Sequence, residues 1–316
     1  MKRSEDELRS IVNQVFTRDK FLLFLRILAM NPNLSLENLL FVFEQKPEAK
    51  QVCGKKAWHH LGREVKEDST GIRISVPKYL SSDEESEAFR EIEVFDLNST
   101  SGKAIDLHLK EISIGAAITK ATGITWEVTP TLSVNGFGYY DNENRVFLLS
   151  KECKGDLVAK TELEVFVDYR FGEMEIENST LKMAILYTLM IRYELKHKLS
   201  IVLYGKLWRL SQKDKYDFLH LLVFVVWEIV QAIEGIQLSF QESILLNYYL
   251  ESNDLQRLKE MSTVYKEWGL EQLIAKLENT SVEVIEELLK RRQNRRLFTF
   301  PPCNLEELLL ERSTRI

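Results

Sequence analysis

The residues best suited to chemistry lie in a basic and aromatic stretch near the amino end, residues 48–77. It reads EAKQVCGKKAWHHLGREVKEDSTGIRISVP and combines lysines and arginines with a tryptophan and two adjacent histidines. Single-stranded nucleic acid is held by cationic side chains that follow its phosphates and by aromatic rings that stack on its bases. The stretch therefore favours a groove for an unpaired strand, although a tryptophan in this setting is also typical of a core anchor.

Seven residues of this region are the candidates for contact with nucleic acid. Arginine and lysine are expected to meet phosphates, and the tryptophan is expected to stack on a base or to brace the groove. The set is Lys50, Lys55, Lys56, Trp58, Arg63, Lys66 and Arg73. The sequence has no helix-turn-helix, zinc-finger or RRM signature, so specific reading of duplex DNA is not indicated.

The charge distribution singles out the same region. The chain of 316 residues has a net charge of −6, yet residues 1–80 carry 14 Lys and Arg against 10 Asp and Glu, while the remainder carries 28 against 38. A basic window in an acidic protein indicates a binding surface, although a solvated face explains it equally well on charge alone. The acidic remainder is a candidate surface for a protein partner.

The elements that must position these residues are of both kinds. The hydrophobic spacing predicts helices over 6–30 and 36–45, the second capped by Ser35, and alternating strands at 71–76 and 90–97. Further along, it predicts a helix over 102–122, strands at 124–129, 145–150 and 162–168, and helices from about 177 onward. The expected class is α+β with a helix-rich C-terminal half.

Residues 20–77 resemble the N-terminal domain of the ArdC-type antirestriction proteins, which are found on conjugative plasmids and other mobile elements. The family pattern runs Gln-x-Pro-x-Ala, then Gly-x-x-x-Trp-x-x-Leu-Gly-Arg-x-Val-Lys, then Gly-Ile before a proline. An asparagine and a serine ahead of a helix precede this pattern in the family, and Asn33, Ser35 and Asn38 match that part. The positions that match the rest, in order, are Gln45, Pro47, Ala49, Gly54, Trp58, Leu61, Gly62, Arg63, Val65, Lys66, Gly71, Ile72 and Pro77. The resemblance implies that residues 1–100 form a domain that binds single-stranded DNA.

The same family carries a zinc metallopeptidase-like domain built around His-Glu-x-x-His, to which residues 101–316 are expected to correspond. On a helix this spacing places two imidazoles on one face to hold zinc, while the glutamate takes a proton from bound water. The matching segment reads YELKH, with Tyr193 in place of the first histidine and Glu194 and His197 retained. The expected third ligand falls near the apolar Phe224. The resemblance thus implies a degenerate domain without cofactor, in which Tyr193, Glu194 and His197 are vestigial.

The compartment is predicted to be the cytoplasm. The three cysteines, Cys53, Cys153 and Cys303, lie far apart and form no CxxC pair, which suits a reducing environment. The most apolar stretch, 218–236, carries one histidine and two glutamates and therefore reads as a buried helix rather than a membrane span.

The predicted function is that of an antirestriction-like protein of a mobile element, which binds single-stranded DNA and uses an inactive peptidase-like domain for protein interaction. Two alternatives stay open. One is a zinc metallopeptidase that uses the variant motif with Glu194 as base, and the other is an interaction adaptor in a replication or defence complex.

Overall fold

A computed structural model of the chain describes residues 5–77, 89–104, 113–130, 132, 136–195, 207 and 210–234. These residues divide into two compact units. The ribbon unit contains 52–77 and 89–104, and the helical unit contains 5–51 together with the described residues from 113 to 234.

Three helices open the helical unit: α1 Glu5–Val15, α2 Arg18–Met30 and α3 Leu36–Gln45. The single helix predicted over 6–30 is divided in two, because Thr17 takes an extended conformation at φ −83° and ψ 152°. Its hydroxyl donates to the carbonyl oxygen of Gln14 at 3.0 Å, which closes the end of α1. Ser35 caps α3 as predicted, since its Oγ accepts from the backbone N–H of Asn38 at 3.3 Å.

The ribbon unit is built from short strands and one short helix. In chain order they are β1 Val52–Cys53, α4 Lys55–His60, β2 Arg63–Val65, β3 Ile72–Pro77, β4 Phe89–Asp96, a 3-10 turn Leu97–Ser99 and β5 Thr100–Gly102. β4 is the central strand of an antiparallel sheet in the order β1-β4-β3. β2 and β5 form a separate antiparallel pair, the β2–β5 ribbon. The strands predicted at 71–76 and 90–97 are confirmed.

The rest of the helical unit places helices beside a small sheet. Its elements are α5 Ile114–Thr122, β6 Trp126–Thr129, β7 Gly138–Asp141, β8 Val146–Ser150, α6 Asp156–Glu173, α7 Ser179–Arg192 and α8 Gln212–Glu234. The strand order is β6-β8-β7, in which β6 is parallel and β7 antiparallel to β8. Helix α8 packs against α1, α5 and α7, and α2 packs against α3 and α7. The predicted class, α+β, is confirmed.

The strand predicted at 162–168 is wrong, because these residues lie inside α6. The run ELEVFVD alternates over its first residues, but Val165, Phe166 and Val167 are all buried in succession. A short apolar run has no clear period, and here packing within an 18-residue helix decides its conformation. The strands predicted at 124–129 and 145–150 are confirmed as β6 and β8.

The division into units differs from the predicted domains, 1–100 and 101–316, at the amino end. Residues 5–51 group with the helical unit, because α1 and α3 pack on α8 and α2 packs on α7. These contacts join segments far apart in the sequence, so the family-like pattern of residues 20–77 did not reveal them. The second change of unit lies between the described residues 104 and 113, close to the predicted boundary.

Within the described residues, α8 is the one helix whose length and apolar composition would allow it to cross a membrane. Its most apolar window is 44% buried inside the protein. Val225, Val226 and Ile229 have no exposed surface, and Glu234 at its end is 2% exposed. This is the arrangement of a helix that packs one side into the core of the helical unit.

Candidate nucleic-acid interface

Trp58 lies in the core of the ribbon unit and has no exposed surface. It packs with Cys53, and Val65 and Phe95 surround the pair. Its Nε1–H donates to the carbonyl oxygen of Phe95 at 2.7 Å, which satisfies the one polar group of the indole. Because neither face of the ring is open to a base, the stacking role predicted for Trp58 is wrong. The bracing role is compatible with its position.

Helix α4 explains how one short segment buries an indole and exposes cations. Gly54 precedes the helix, and within six residues Trp58 turns inward while Lys55, Lys56 and His59 are exposed. Residues i and i+4 share a helix face, so Lys55 and His59 lie on the same side. Cys53, at the base of this segment, is fully buried, and burial raises the pKa of its thiol well above the usual value. This cysteine is a core residue rather than a reactive one.

Arg63 binds the protein's own backbone. Its Nε donates to Thr100 Oγ1 at 2.8 Å, its Nη2 to the Thr100 carbonyl oxygen at 2.9 Å, and its Nη1 to the carbonyl oxygens of Gly102 and Lys103. Four hydrogen bonds thus occupy a group that has five N–H donors. The guanidinium therefore clamps β2 to β5, and the phosphate contact of Arg63 stays a prediction.

Glycine allows the close approach of the two strands that Arg63 joins. Gly102 has φ +127°, and a Cβ added there would lie 2.4 Å from the carbonyl oxygen of Gly62. No other residue fits this position without moving the backbone. The turn between α4 and β2 and the end of β5 are therefore held in contact, with the backbone N–H of Lys103 donating to the Gly62 carbonyl oxygen at 3.0 Å.

The outward face of the β2–β5 ribbon carries charged side chains. Arg63 and Val65 point to the other face, so Glu64 and Lys66 alternate onto this one and both are exposed. The Lys66 ammonium donates to the Asn98 carbonyl oxygen at 2.9 Å. Glu64 Oε1 contacts His59 Nδ1 of α4, a pair whose side chains are 63% and 70% exposed. This contact joins the exposed side of α4 to the outward face of the ribbon.

Lys103 is an exposed cation of this surface that the sequence did not single out. It follows Gly102, which lies opposite Arg63 in the ribbon, so its side chain starts beside the α4–β2 turn. Lys103 is 40 residues from Arg63 in the sequence, so their proximity is visible only from the pairing of β5 with β2.

Two other predicted cations lie in different surroundings. Arg73 is exposed on β3, directly opposite Glu93 and next to Glu91 on the same strand face, so acidic groups surround it. Lys50 is exposed in the helical unit, where its carbonyl oxygen accepts from Asn31 Nδ2 at 2.7 Å. Of the predicted set, Lys55, Lys56 and Lys66 are the exposed lysines of the ribbon unit.

The segment that matches the peptidase motif does not continue helix α7. The helix ends at Arg192, and Glu194 takes a left-handed conformation with φ +54°. The N–H of Leu195 donates to the Met190 carbonyl oxygen at 2.9 Å, and that of Glu194 to the Ile191 carbonyl oxygen at 3.3 Å. This pair of bonds is a Schellman motif, which terminates a helix.

The residues that remain of the motif therefore do not fit a zinc site of the His-Glu-x-x-His type. Such a site needs its ligands one helical turn apart on a single face, whereas the chain reverses at Glu194. His197 lies outside the described residues. Phe224, at the position expected for a third ligand, has a 45% exposed phenyl ring that supplies no donor atom. No group of three or more His, Cys, Asp and Glu within the described ranges is arranged to hold a metal ion.

The comparisons with known proteins return structural neighbours only. No protein-family model matches the chain, and no curated protein matches it. Among solved structures, the Mn(II)-bound antirestriction protein ArdC from plasmid R388 is 10% identical, with 72% of this chain and 97% of that chain covered and a TM-score of 0.44. The metal-free structure of the same protein is 11% identical, with 73% and 99% covered and a TM-score of 0.40.

Proposed function

We propose that the ribbon unit binds single-stranded DNA through lysines that contact its phosphates. The observation that supports this most directly is the shared surface of Lys55, Lys56 and Lys66. The lysines of α4 lie on the side of His59, His59 contacts Glu64, and Glu64 shares the outward ribbon face with Lys66. Lysine ammonium groups on long, mobile stems suit a flexible polyanion, because they do not require one fixed geometry.

Binding of this kind is mainly electrostatic. Trp58 is buried and supplies no surface on which a base could stack. His59 is exposed, but its ring nitrogen contacts Glu64, so we assign it no stacking role. Most of the affinity must then come from phosphate contacts and the release of counterions, which makes it depend strongly on salt. Glu67 and Asp68, which directly follow Lys66 and are exposed, lower the local positive potential at that end of the surface.

In keeping with the sequence resemblance, we propose a cytoplasmic, antirestriction-like protein of a mobile element. The helical unit would then be an inactive peptidase-like part, and the helix end at Arg192 supports this over the peptidase alternative, because it removes the helical frame that the motif requires. A protein partner for the acidic half of the chain remains a prediction.

The test compares single-stranded with duplex DNA. Fluorescence anisotropy of the full-length protein with a labelled thymidine oligonucleotide is expected to show tighter binding than with a duplex of equal length. The double variant K55Q/K56Q is expected to bind the single strand more weakly. The matched control is K151Q/K154Q, which removes two exposed lysines of the helical unit and is expected to bind like the wild type. Absence of binding, or equal loss in both variants, would contradict the proposal.

A further inference from the structure

We propose that Lys103 is a further phosphate-contacting residue of this surface and that Arg63 is the residue that positions it. This inference rests on the proposed function and adds to it the path of the strand. The strand runs from the lysines of α4 across the α4–β2 turn toward Lys103, and Lys66, at the other end of the ribbon, makes the weaker contact.

The position of Lys103 follows from the pairing of β2 with β5. Its backbone N–H donates to the carbonyl oxygen of Gly62 at 3.0 Å. A Cβ added at Gly62 would lie 3.5 Å from Lys103 Cβ and 3.9 Å from its Cδ, so the aliphatic stem of the lysine passes over this glycine. The side chain is exposed, and the turn beneath it comes directly after α4. Lys103 thus lies next to the C-terminal end of α4.

Arg63 fixes the backbone from which the Lys103 side chain starts. Its Nη1 donates to the Lys103 carbonyl oxygen and to that of Gly102, while its Nε and Nη2 hold Thr100. The planar guanidinium holds several neighbouring acceptors at once and so fixes the orientation of this backbone, which a lysine ammonium would not do. Arg63 thus acts on DNA through Lys103, and its own charge is directed at carbonyl dipoles.

The charges near Lys66 and Lys103 favour the path toward Lys103. Lys66 is followed by two exposed acidic residues, Glu67 and Asp68, and its ammonium already donates to a carbonyl oxygen. The described chain neighbours of Lys103 (Ser101, Gly102 and Ala104) are uncharged, and across the ribbon the positive Arg63 and the negative Glu64 lie close to it. The two lysines lie at opposite ends of the ribbon, about 13 Å apart at the usual rise per strand residue. A strand leaving α4 therefore meets a more positive potential near Lys103.

The first test compares K103Q with K66Q in the full-length protein. The dissociation constant for a thymidine oligonucleotide is measured over a salt series, with K151Q of the helical unit as control. Removal of one phosphate contact lowers the slope of log affinity against log salt by about 0.7. We expect this loss for K103Q and less than half of it for K66Q. A slope in K103Q equal to that of the control would overturn the inference.

The second test separates positioning by Arg63 from direct contact. R63K keeps the positive charge, so a phosphate contact would largely survive, whereas the backbone clamp would not. We expect R63K to reproduce the loss of K103Q and to add nothing in the double variant R63K/K103Q. Wild-type binding by R63K, or additive losses in the double variant, would overturn the positioning role.

A milder pair of variants covers the case in which R63K does not fold. T100V removes the hydroxyl that accepts from Arg63 Nε, while T100S retains it. Lower affinity in T100V than in T100S is expected, and equal affinity in the two would overturn the positioning role. The proposed function is tested by different results. It is contradicted if the wild type does not bind single-stranded DNA, or if K55Q/K56Q binds it with wild-type affinity.

Discussion

The ribbon unit and the helical unit use arginine in different ways. In the ribbon unit, Arg63 is half-buried and bonds four times to a hydroxyl and to backbone carbonyls of one strand. In the helical unit, Arg192 is 5% exposed and forms a two-point ion pair with Glu234, which is 2% exposed. A guanidinium close to solvent needs only dipoles as partners, whereas one in the core needs an opposite charge.

The comparison also separates arginine from lysine in the basic window. Arg63 of this window bonds the backbone of the β2–β5 ribbon, while Lys55, Lys56 and Lys66 are exposed. Arginine offers a fixed fork that suits internal acceptors, and lysine offers a mobile point charge that suits a flexible ligand. A count of positive residues in the sequence therefore overstates the number that the surface exposes.

The largest effect is expected from breaking the buried pair of the helical unit. Glu234→Ala leaves the Arg192 charge buried without its carboxylate and is expected to cost about 3–5 kcal/mol in the free energy of unfolding. The double variant R192M/E234L is expected to be more stable than this single variant, because it buries no charge. Urea unfolding followed by circular dichroism measures both, and a cost below about 1 kcal/mol for Glu234→Ala would contradict a fully buried pair.

The next effect concerns the core of the ribbon unit. Trp58→Leu removes ring volume and leaves the Phe95 carbonyl oxygen without its donor, which is expected to cost about 2–4 kcal/mol. At a temperature where this variant is folded, its affinity for a thymidine oligonucleotide is expected to stay within about twofold of the wild type, because the buried ring cannot stack on a base. A stacking role, worth about 1–3 kcal/mol per base, would give a larger loss. A larger loss of affinity in folded protein would restore the stacking role.

A smaller effect compares one glycine from each unit. Gly102→Ala of the ribbon unit meets the Gly62 carbonyl oxygen at 2.4 Å, whereas Gly123→Ala of the helical unit has φ +72° and no atom within 4 Å. Gly123→Ala carries the penalty of the left-handed region, about 1–2 kcal/mol, whereas Gly102→Ala, at φ +127°, lies outside that region and adds a backbone clash. Thermal unfolding is expected to show the larger decrease in Tm for Gly102→Ala. Equal decreases in Tm would contradict a tight contact between Gly102 and the Gly62 carbonyl oxygen.

No measurable effect on metal content is expected from the YELKH segment. Since the chain reverses at Glu194, the purified protein is expected to hold no stoichiometric zinc, and His197→Ala should leave its zinc content unchanged. Elemental analysis of the wild type and of His197→Ala makes the comparison, with Glu194→Gln as the control, because a base that is not a ligand does not hold the metal. Stoichiometric zinc that is lost in His197→Ala and kept in Glu194→Gln would revive the peptidase alternative and show that the segment can form a site.

Local patterns in the sequence predicted local structure well. The alternation at 71–76 and 90–97 gave β3 and β4, and a serine before an apolar run gave the cap of α3. The buried state of Trp58 also had a signal, since Leu61, three residues on, lies on the same helical face and packs beside it. Side-chain spacing predicts such features because their causes lie within a few residues.

Long-range pairing set the parts of the site that the sequence did not predict. The partners of Arg63 are mostly carbonyl oxygens, which every residue carries and which leave no mark in the sequence. Lys103 joins the surface only because β5 pairs with β2. In the same way, residues 5–51 joined the helical unit through packing against α7 and α8. The predicted strand at 162–168 failed because its packing within α6 outweighed its local alternation.

The central claim is that exposed lysines of the ribbon unit hold a single strand by its phosphates, and the salt dependence of binding tests it most directly. For the full-length protein and a thymidine oligonucleotide, three to four contacts predict a slope of log affinity against log salt of about −2 to −3, reduced by about 1.4 in K55Q/K56Q. A slope near zero, or a slope that K55Q/K56Q leaves unchanged, would contradict the claim.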